Sequence, residues 1–157
     1  MKPAYRGFLI GVLQCLMVLS IAGKYAMERT SLPRVWANAT PYDPNLPLRG
    51  RYVSLRLQVD VPENFGGYYQ PVRLYVENSR LMAALASGTG VTISRFPRGW
   101  ILAQPVAFFI PDNVPDPSQL KPGEELWVEV SVPKTGLPRP LRLAIKKDGV
   151  MTPLDLR

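Results

Sequence analysis

The chain has 157 residues and carries 19 Lys and Arg against 12 Asp and Glu, a formal net charge of +7. It has no histidine and one cysteine, so an intrachain disulfide is excluded and the side chain most often used as general base or metal ligand is missing. The basic residues are scattered rather than grouped into a stripe, which argues against nucleic-acid binding.

Residues 7–23 carry no charged side chain and predict a membrane-spanning helix. At 1.5 Å per residue this run reaches about 25 Å, and Arg6 and Lys24 at its ends can extend toward lipid headgroups. A cleaved signal peptide is the alternative, because Ser20-Ile21-Ala22 has the pattern of a cleavage site. We expect an uncleaved, single-pass anchor at residues 1–27. The short N-terminal tail favours a cytoplasmic N-terminus and an extracytoplasmic remainder.

Residues 28–46 show no sustained periodicity. Pro41 and Pro44 are followed by Pro47, and a proline at every third position favours an extended path over a helix. We therefore expect a Pro-rich linker or an edge strand, with residues 35–37 as the core of any strand.

The following segment alternates strictly between apolar and polar residues, which predicts a half-buried β-strand. A slip of one residue would drive Arg56 and Asp60 into the core, so the alternation also fixes which face is buried. The apolar positions are Val53, Leu55, Leu57, Val59 and Val61.

Gly50, Tyr52 and Leu55 in this segment match the motif of the GDYxxLxY proteins, while Arg51 and Leu57 replace the family's Asp and last Tyr. The chain resembles this family of small, membrane-anchored bacterial proteins of unknown biochemical activity. The resemblance extends to the apolar N-terminal segment and to Asp43-Pro44 before the motif. It implies one anchor helix, a strand-rich remainder and a multispanning membrane protein as partner, because family members are often encoded beside such proteins.

Further alternating segments predict strands around residues 72–76, 91–93, 126–132 and 141–146. Residues 80–86 favour a helix by propensity but are too few for an independent one, so we expect a hairpin strand. Residues 100–110 predict a longer strand interrupted by Pro105, and Asp148-Gly149 predicts a tight hairpin turn into a last strand at 150–156. Residues 47–157 are therefore predicted to be all-β, a single sandwich or barrel-like domain of about seven or eight short antiparallel strands.

The sequence offers little for catalysis or metal binding. Asp112 and Asp116 lie on a proline-rich loop without the alternating spacing of a calcium site, and Ser31-Leu32-Pro33 does not match the Ser-Met-x-Pro motif of signal peptidases. We expect no catalytic residue, cofactor, metal or small-molecule ligand. An anchored or secreted hydrolase with an unrecognised serine or carboxylate site is the alternative.

Three side chains on the polar phase of predicted strands, Tyr52, Arg56 and Trp127, suggest a partner surface. Trp is the residue type most enriched at the centres of protein interfaces. We therefore expect a non-catalytic accessory or assembly subunit that contacts the lipid bilayer through its helix and a membrane protein through this surface.

Overall fold

The computed structural model describes residues 3–42, 52–63, 65–111 and 116–155. Its contacts divide the chain into two compact units, Met1–Leu32 and Pro33–Arg157.

The first unit is a single helix, α1, at Pro3–Ser31. Its stretch Gly7–Met27 has 21 residues and a mean hydropathy of 1.8, and 21 residues rise about 31 Å, close to the hydrocarbon thickness of about 30 Å. The hydroxyl of Ser20 donates to the carbonyl of Met17 at 2.8 Å, which satisfies this polar group within the helix. The helix is long and apolar enough to cross a membrane. The helix continues to Ser31, beyond this apolar stretch.

The second unit contains ten strands within the described residues. They are β1 Arg34–Pro41, β2 Tyr52–Val59, β3 Tyr69–Glu77, β4 Arg80–Leu85, β5 Thr92–Phe96, β6 Gly99–Leu102, β7 Val106–Phe109, β8 Glu124–Ser131, β9 Arg139–Lys147 and β10 Val150–Pro153. The predicted all-β domain behind one N-terminal helix is confirmed. The strand number exceeds the predicted seven or eight because residues 34–41 form a strand and residues 100–110 form two, separated around Pro105.

β1 corrects the prediction of a linker or edge strand at residues 28–46. It pairs with β2 on one side and with β8 on the other, so it lies inside the sheet, in the order β10-β9-β8-β1-β2-β6-β5-β3-β4. Val35, Ala37 and Ala39 are buried. The alternation was present in the sequence, but two of its three apolar members are alanines, whose hydrophobic signal is weak.

β2 is the strand around which the sheet is organised. On one edge, its first half pairs with β7 and its last two residues pair with β6, with Leu55 opposite Val106 and Val59 opposite Trp100. Its middle residues, 55–57, pair with β1, where Leu55 lies opposite Pro41. Buried and partly exposed residues alternate along it in the predicted register, and Leu55 and Leu57 are fully buried. This strand therefore supplies the centre of the core to both halves of the sheet.

The sheet curls until β4 returns to β2. The amide of Asp60 donates to the carbonyl of Leu81 at 2.8 Å, and the amide of Ala83 donates to the carbonyl of Asp60 at 2.9 Å. The Asp60–Met82 bridge is parallel, as it must be when four successive antiparallel pairings link β2, β6, β5, β3 and β4. These five strands thus close a small ring on which the remaining strands extend the sheet.

Two hairpin turns use left-handed backbone conformations. Asp148 and Gly149 between β9 and β10 have φ values of 49° and 83°, which confirms the predicted tight turn. Asn78 and Ser79 between β3 and β4 have φ values of 49° and 58°. Ser79 thus adopts a conformation that glycine would take at lower cost.

Candidate interaction surface

The polar phases of β1, β2 and β8 lie on one face of the sheet, here called the outer face. Cross-strand pairing places Asn38 opposite Trp127 and Thr40 opposite Arg56. Tyr52 lies on the same phase of β2, four residues and about 13 Å along the strand from Arg56. The three residues predicted as a partner surface therefore share one face, but each has its own immediate neighbours.

Trp127 is half-buried and held by polar contacts. Its indole Nε1 donates to Oε2 of Glu125 at 2.9 Å, and Nδ2 of Asn38 lies 3.4 Å from the same oxygen. The ammonium of Lys146 is 4.7 Å from the ring centroid, within the range of a cation–π contact. These contacts hold the indole in place. The sequence alone predicted only that Trp127 lies on the polar phase of its strand.

Arg56 stacks on an aromatic ring that the sequence analysis did not connect with it. Its guanidinium carbon is 3.5 Å from the ring centroid of Tyr42, which follows directly after β1. The Nε atom of Arg56 is buried and has no hydrogen-bond partner among the described residues. The signal that could have found this pair is the β1–β2 pairing, which the sequence analysis did not predict.

Tyr52 lies beside Phe109, its cross-strand partner on β7. Their ring centroids are 6.2 Å apart with the planes tilted by 56°, a favourable aromatic geometry. Phe109 is 72% exposed, an unusual position for a large apolar ring. We call the cluster of Tyr42, Tyr52, Arg56 and Phe109 the aromatic end of the outer face.

The motif residues divide between surface and core. Tyr52 is part of the aromatic end, whereas Leu55 is completely buried and acts in packing. Gly50 and Arg51 lie outside the described residues, as do Asp43, Pro44 and Asp112.

A carboxylate is buried where β8 and β9 pair. Glu129 is 8% exposed and accepts a hydrogen bond of 2.6 Å from Nε of Arg142, its cross-strand neighbour. This bond raises the pKa of Arg142 above its ordinary value. The contact neutralises a carboxylate that would be costly to bury alone.

A groove opens where β1 and β2 diverge beyond their last paired residues. Two adjoining hollows, of about 500 Å³ and about 660 Å³, share Gln58, Asp60, Asn78 and Arg80 in their walls. Trp36 and Trp127 line the first hollow and Trp100 the second. All three tryptophans of the chain therefore border this groove.

The groove wall contains the ion pair of Asp60 and Arg80, whose charged atoms lie 3.5 Å apart. Neither partner is buried, so the pair contributes little to stability. Among the described residues, no three His, Cys, Asp or Glu side chains are grouped in a way that could hold a metal ion.

Comparisons of the chain with protein-family models, with curated proteins and with solved structures found no match. The fold and the surface define an all-β domain that follows one apolar helix in the chain and carries an aromatic outer face with a groove beside it.

Proposed function

We propose that the protein is a non-catalytic, single-pass membrane subunit whose extracytoplasmic β-domain binds a multispanning membrane protein as an accessory or assembly factor. The helix Gly7–Met27 supports the anchor, because its length and hydropathy match a bilayer. The resemblance to the GDYxxLxY proteins supports the partner class.

The observation that carries the proposal is the aromatic end of the outer face. Phe109 exposes most of its ring beside Tyr52, and Arg56 is already stacked on Tyr42. Aromatic residues and arginine are the types enriched in interface cores. Because neighbouring rings hold these side chains in place, little rotamer entropy remains to be lost on binding.

Trp127 extends this surface toward β9. Its ring is fixed by Glu125 and Lys146, so it also offers a preordered contact. A helix that keeps the domain at the membrane raises the effective concentration of a membrane-embedded partner, which allows a weak interface to be occupied.

Affinity purification of the tagged, full-length protein from detergent tests the proposal. We expect a membrane protein to co-purify with the wild type and to be lost or strongly reduced with Phe109→Ala and with Trp127→Ala. Tyr68→Ala is the matched control, because Tyr68 is an aromatic residue that is 83% exposed and precedes β3, outside the outer face. The proposal fails if no membrane protein co-purifies, or if all three variants retain it equally.

A further inference from the structure

The groove beside the outer face has features of a ligand site, and of the predicted partner residues only Trp127 lines it. Its larger hollow measures about 660 Å³ and its smaller about 500 Å³. Both fall within the range of about 300–1,000 Å³ that is typical of small-molecule sites. The groove arises from the fold itself, since β1 leaves β2 after Ala39 and Leu57 and the β3–β4 turn lies beside the opening.

The polar lining offers both donors and acceptors of hydrogen bonds. Asn38, Gln58 and Asn78 supply amides, while Asp60 and Arg80 supply a carboxylate and a guanidinium. Two of the amides are already oriented. Nε2 of Gln58 donates to the carbonyl of Arg98 at 3.3 Å, and Nδ2 of Asn38 donates to Glu125 at 3.4 Å. Such side chains match neighbouring hydroxyl groups, each of which is both donor and acceptor.

The aromatic lining supplies flat apolar surfaces beside these polar groups. Trp36 and Trp127 line the smaller hollow. The negative π face of an indole attracts the weakly positive C–H groups of a saturated ring. A ligand that presents C–H groups on one face and hydroxyls around its edge uses both parts of the lining, and a pyranose ring has this form.

The charge of the groove selects against strongly ionic ligands. The two hollows together are lined by three acidic residues, Asp60, Glu77 and Glu125, and two basic ones, Arg80 and Lys146. Asp60 and Arg80 pair with each other, while Lys146 lies over the Trp127 ring. A phosphate-rich ligand would find no excess of positive charge here. A purely apolar ligand would cover these amides without replacing their hydrogen bonds to water, which is costly.

We propose that this groove binds a neutral oligosaccharide. The proposal goes beyond the membrane-partner function. Trp127 borders both sites, but Trp36 and Gln58 line the groove and do not belong to the predicted partner surface, so variants at these two positions test saccharide binding separately. Free oligosaccharides and polymeric glycans of the cell envelope share this chemistry.

Isothermal titration calorimetry of the full-length protein tests the proposal. The detergent is zwitterionic, because a detergent with a sugar headgroup would compete with the probes for the groove. Cellohexaose, maltohexaose and chitohexaose are the probes. We expect at least one to bind with a Kd of about 10⁻⁵–10⁻³ M, with an affinity that changes less than about twofold between 50 and 500 mM NaCl, because a neutral ligand is insensitive to screening.

Trp36→Ala and, separately, Gln58→Leu should weaken this binding at least tenfold, while Tyr68→Ala should leave it unchanged. Unfolding of each variant is followed in parallel, and the test depends on Gln58→Leu alone if Trp36→Ala does not fold.

A second measurement identifies the source of the ligand. If the protein is retained on the matching insoluble polymer, cellulose, starch or chitin, the ligand is a polymeric glycan. If it binds the soluble probe but is not retained, the ligand is a free oligosaccharide. The proposal is overturned if none of the three probes binds at about 10 mM. It is also overturned if the folded groove variants bind as well as the wild type.

Discussion

The position of Leu55 makes a quantitative prediction about the register of β2. Leu55 is completely buried and lies between Val106 on β7 and Pro41 on β1. Leu55→Ala removes three carbon atoms, worth about 2.4 kcal/mol at about 0.8 kcal/mol each. The cavity that remains raises the expected loss in the free energy of unfolding to about 3–4 kcal/mol. Since a typical domain has a total of about 5–15 kcal/mol, the variant should fold but be strongly destabilised.

Leu55→Asp should not fold, because it adds an unpaired charge to the same buried position. The adjacent Arg56 provides a graded comparison. From the sequence alone, Arg56→Asp should change stability by about 0.5 kcal/mol or less. The stack on Tyr42 corrects that expectation, and we now expect Arg56→Ala to cost about 1 kcal/mol through the lost cation–π contact and buried side-chain stem.

Urea denaturation of the full-length protein in detergent, followed by tryptophan fluorescence, measures these differences. The matched control is Arg73→Ala, on the exposed phase of β3, which should stay within about 0.5 kcal/mol of the wild type. The denaturant slope should be unchanged for the variants that fold. A cost below about 1 kcal/mol for Leu55→Ala, or equal costs for Leu55→Ala and Arg73→Ala, would contradict the register.

Three further predictions concern a turn, a titrating carboxylate and the anchor. Ser79→Gly should raise the free energy of unfolding by about 1 kcal/mol, because Ser79 has a φ of 58° and glycine adopts this conformation without a steric cost; an unchanged or lower urea midpoint would refute this. The backbone amide of Lys121, which donates to Glu124, and the nearby Lys147 lower the pKa of Glu124 below 4.5. The ionised carboxylate therefore stabilises the fold above about pH 4.5, and this contribution is lost as the pH falls through the lowered pKa. Melting temperatures should show Glu124→Gln to be less stable than the wild type at pH 7 and closer to it at pH 3, whereas a constant difference would exclude this linkage. Finally, the protein should stay in the membrane after a carbonate wash and retain its N-terminal residues, and a mature chain beginning at Gly23 would instead identify a signal peptide.

Local periodicity was sufficient to predict most strands. The alternation around Leu55 and Leu57 fixed the buried face of β2, and residues 80–86 formed a strand despite their helical propensity, because β4 pairs along its whole length with β3. Pairing between distant segments could not be predicted in this way. The interior position of β1 and the return of β4 to Asp60 depend on contacts between segments far apart in sequence.

The same limit applies to the candidate surface. The alternation placed Tyr52, Arg56 and Trp127 on the polar phases of their strands, and the pairing of β2 and β8 with β1 brings these phases to one face. It carried no information about Phe109 or Tyr42, which reach that face through the pairing of β7 and β1 with β2. The groove was also invisible in the sequence, because β1, β2 and the β3–β4 turn meet only in the folded sheet.

The register of β2 connects both proposed activities. Its outward phase gives Tyr52 to the aromatic end and Gln58 to the groove, while its inward phase gives Leu55 to the core. A destabilising change in the core would therefore impair partner binding and saccharide binding together, so it could not separate the two activities. Six residues of extended strand separate Tyr52 from Gln58, a distance of about 20 Å. At that separation, Phe109→Ala should reduce partner binding and spare saccharide binding, and Gln58→Leu should weaken saccharide binding and spare partner binding. Trp127 borders both sites, so Trp127→Ala should weaken both.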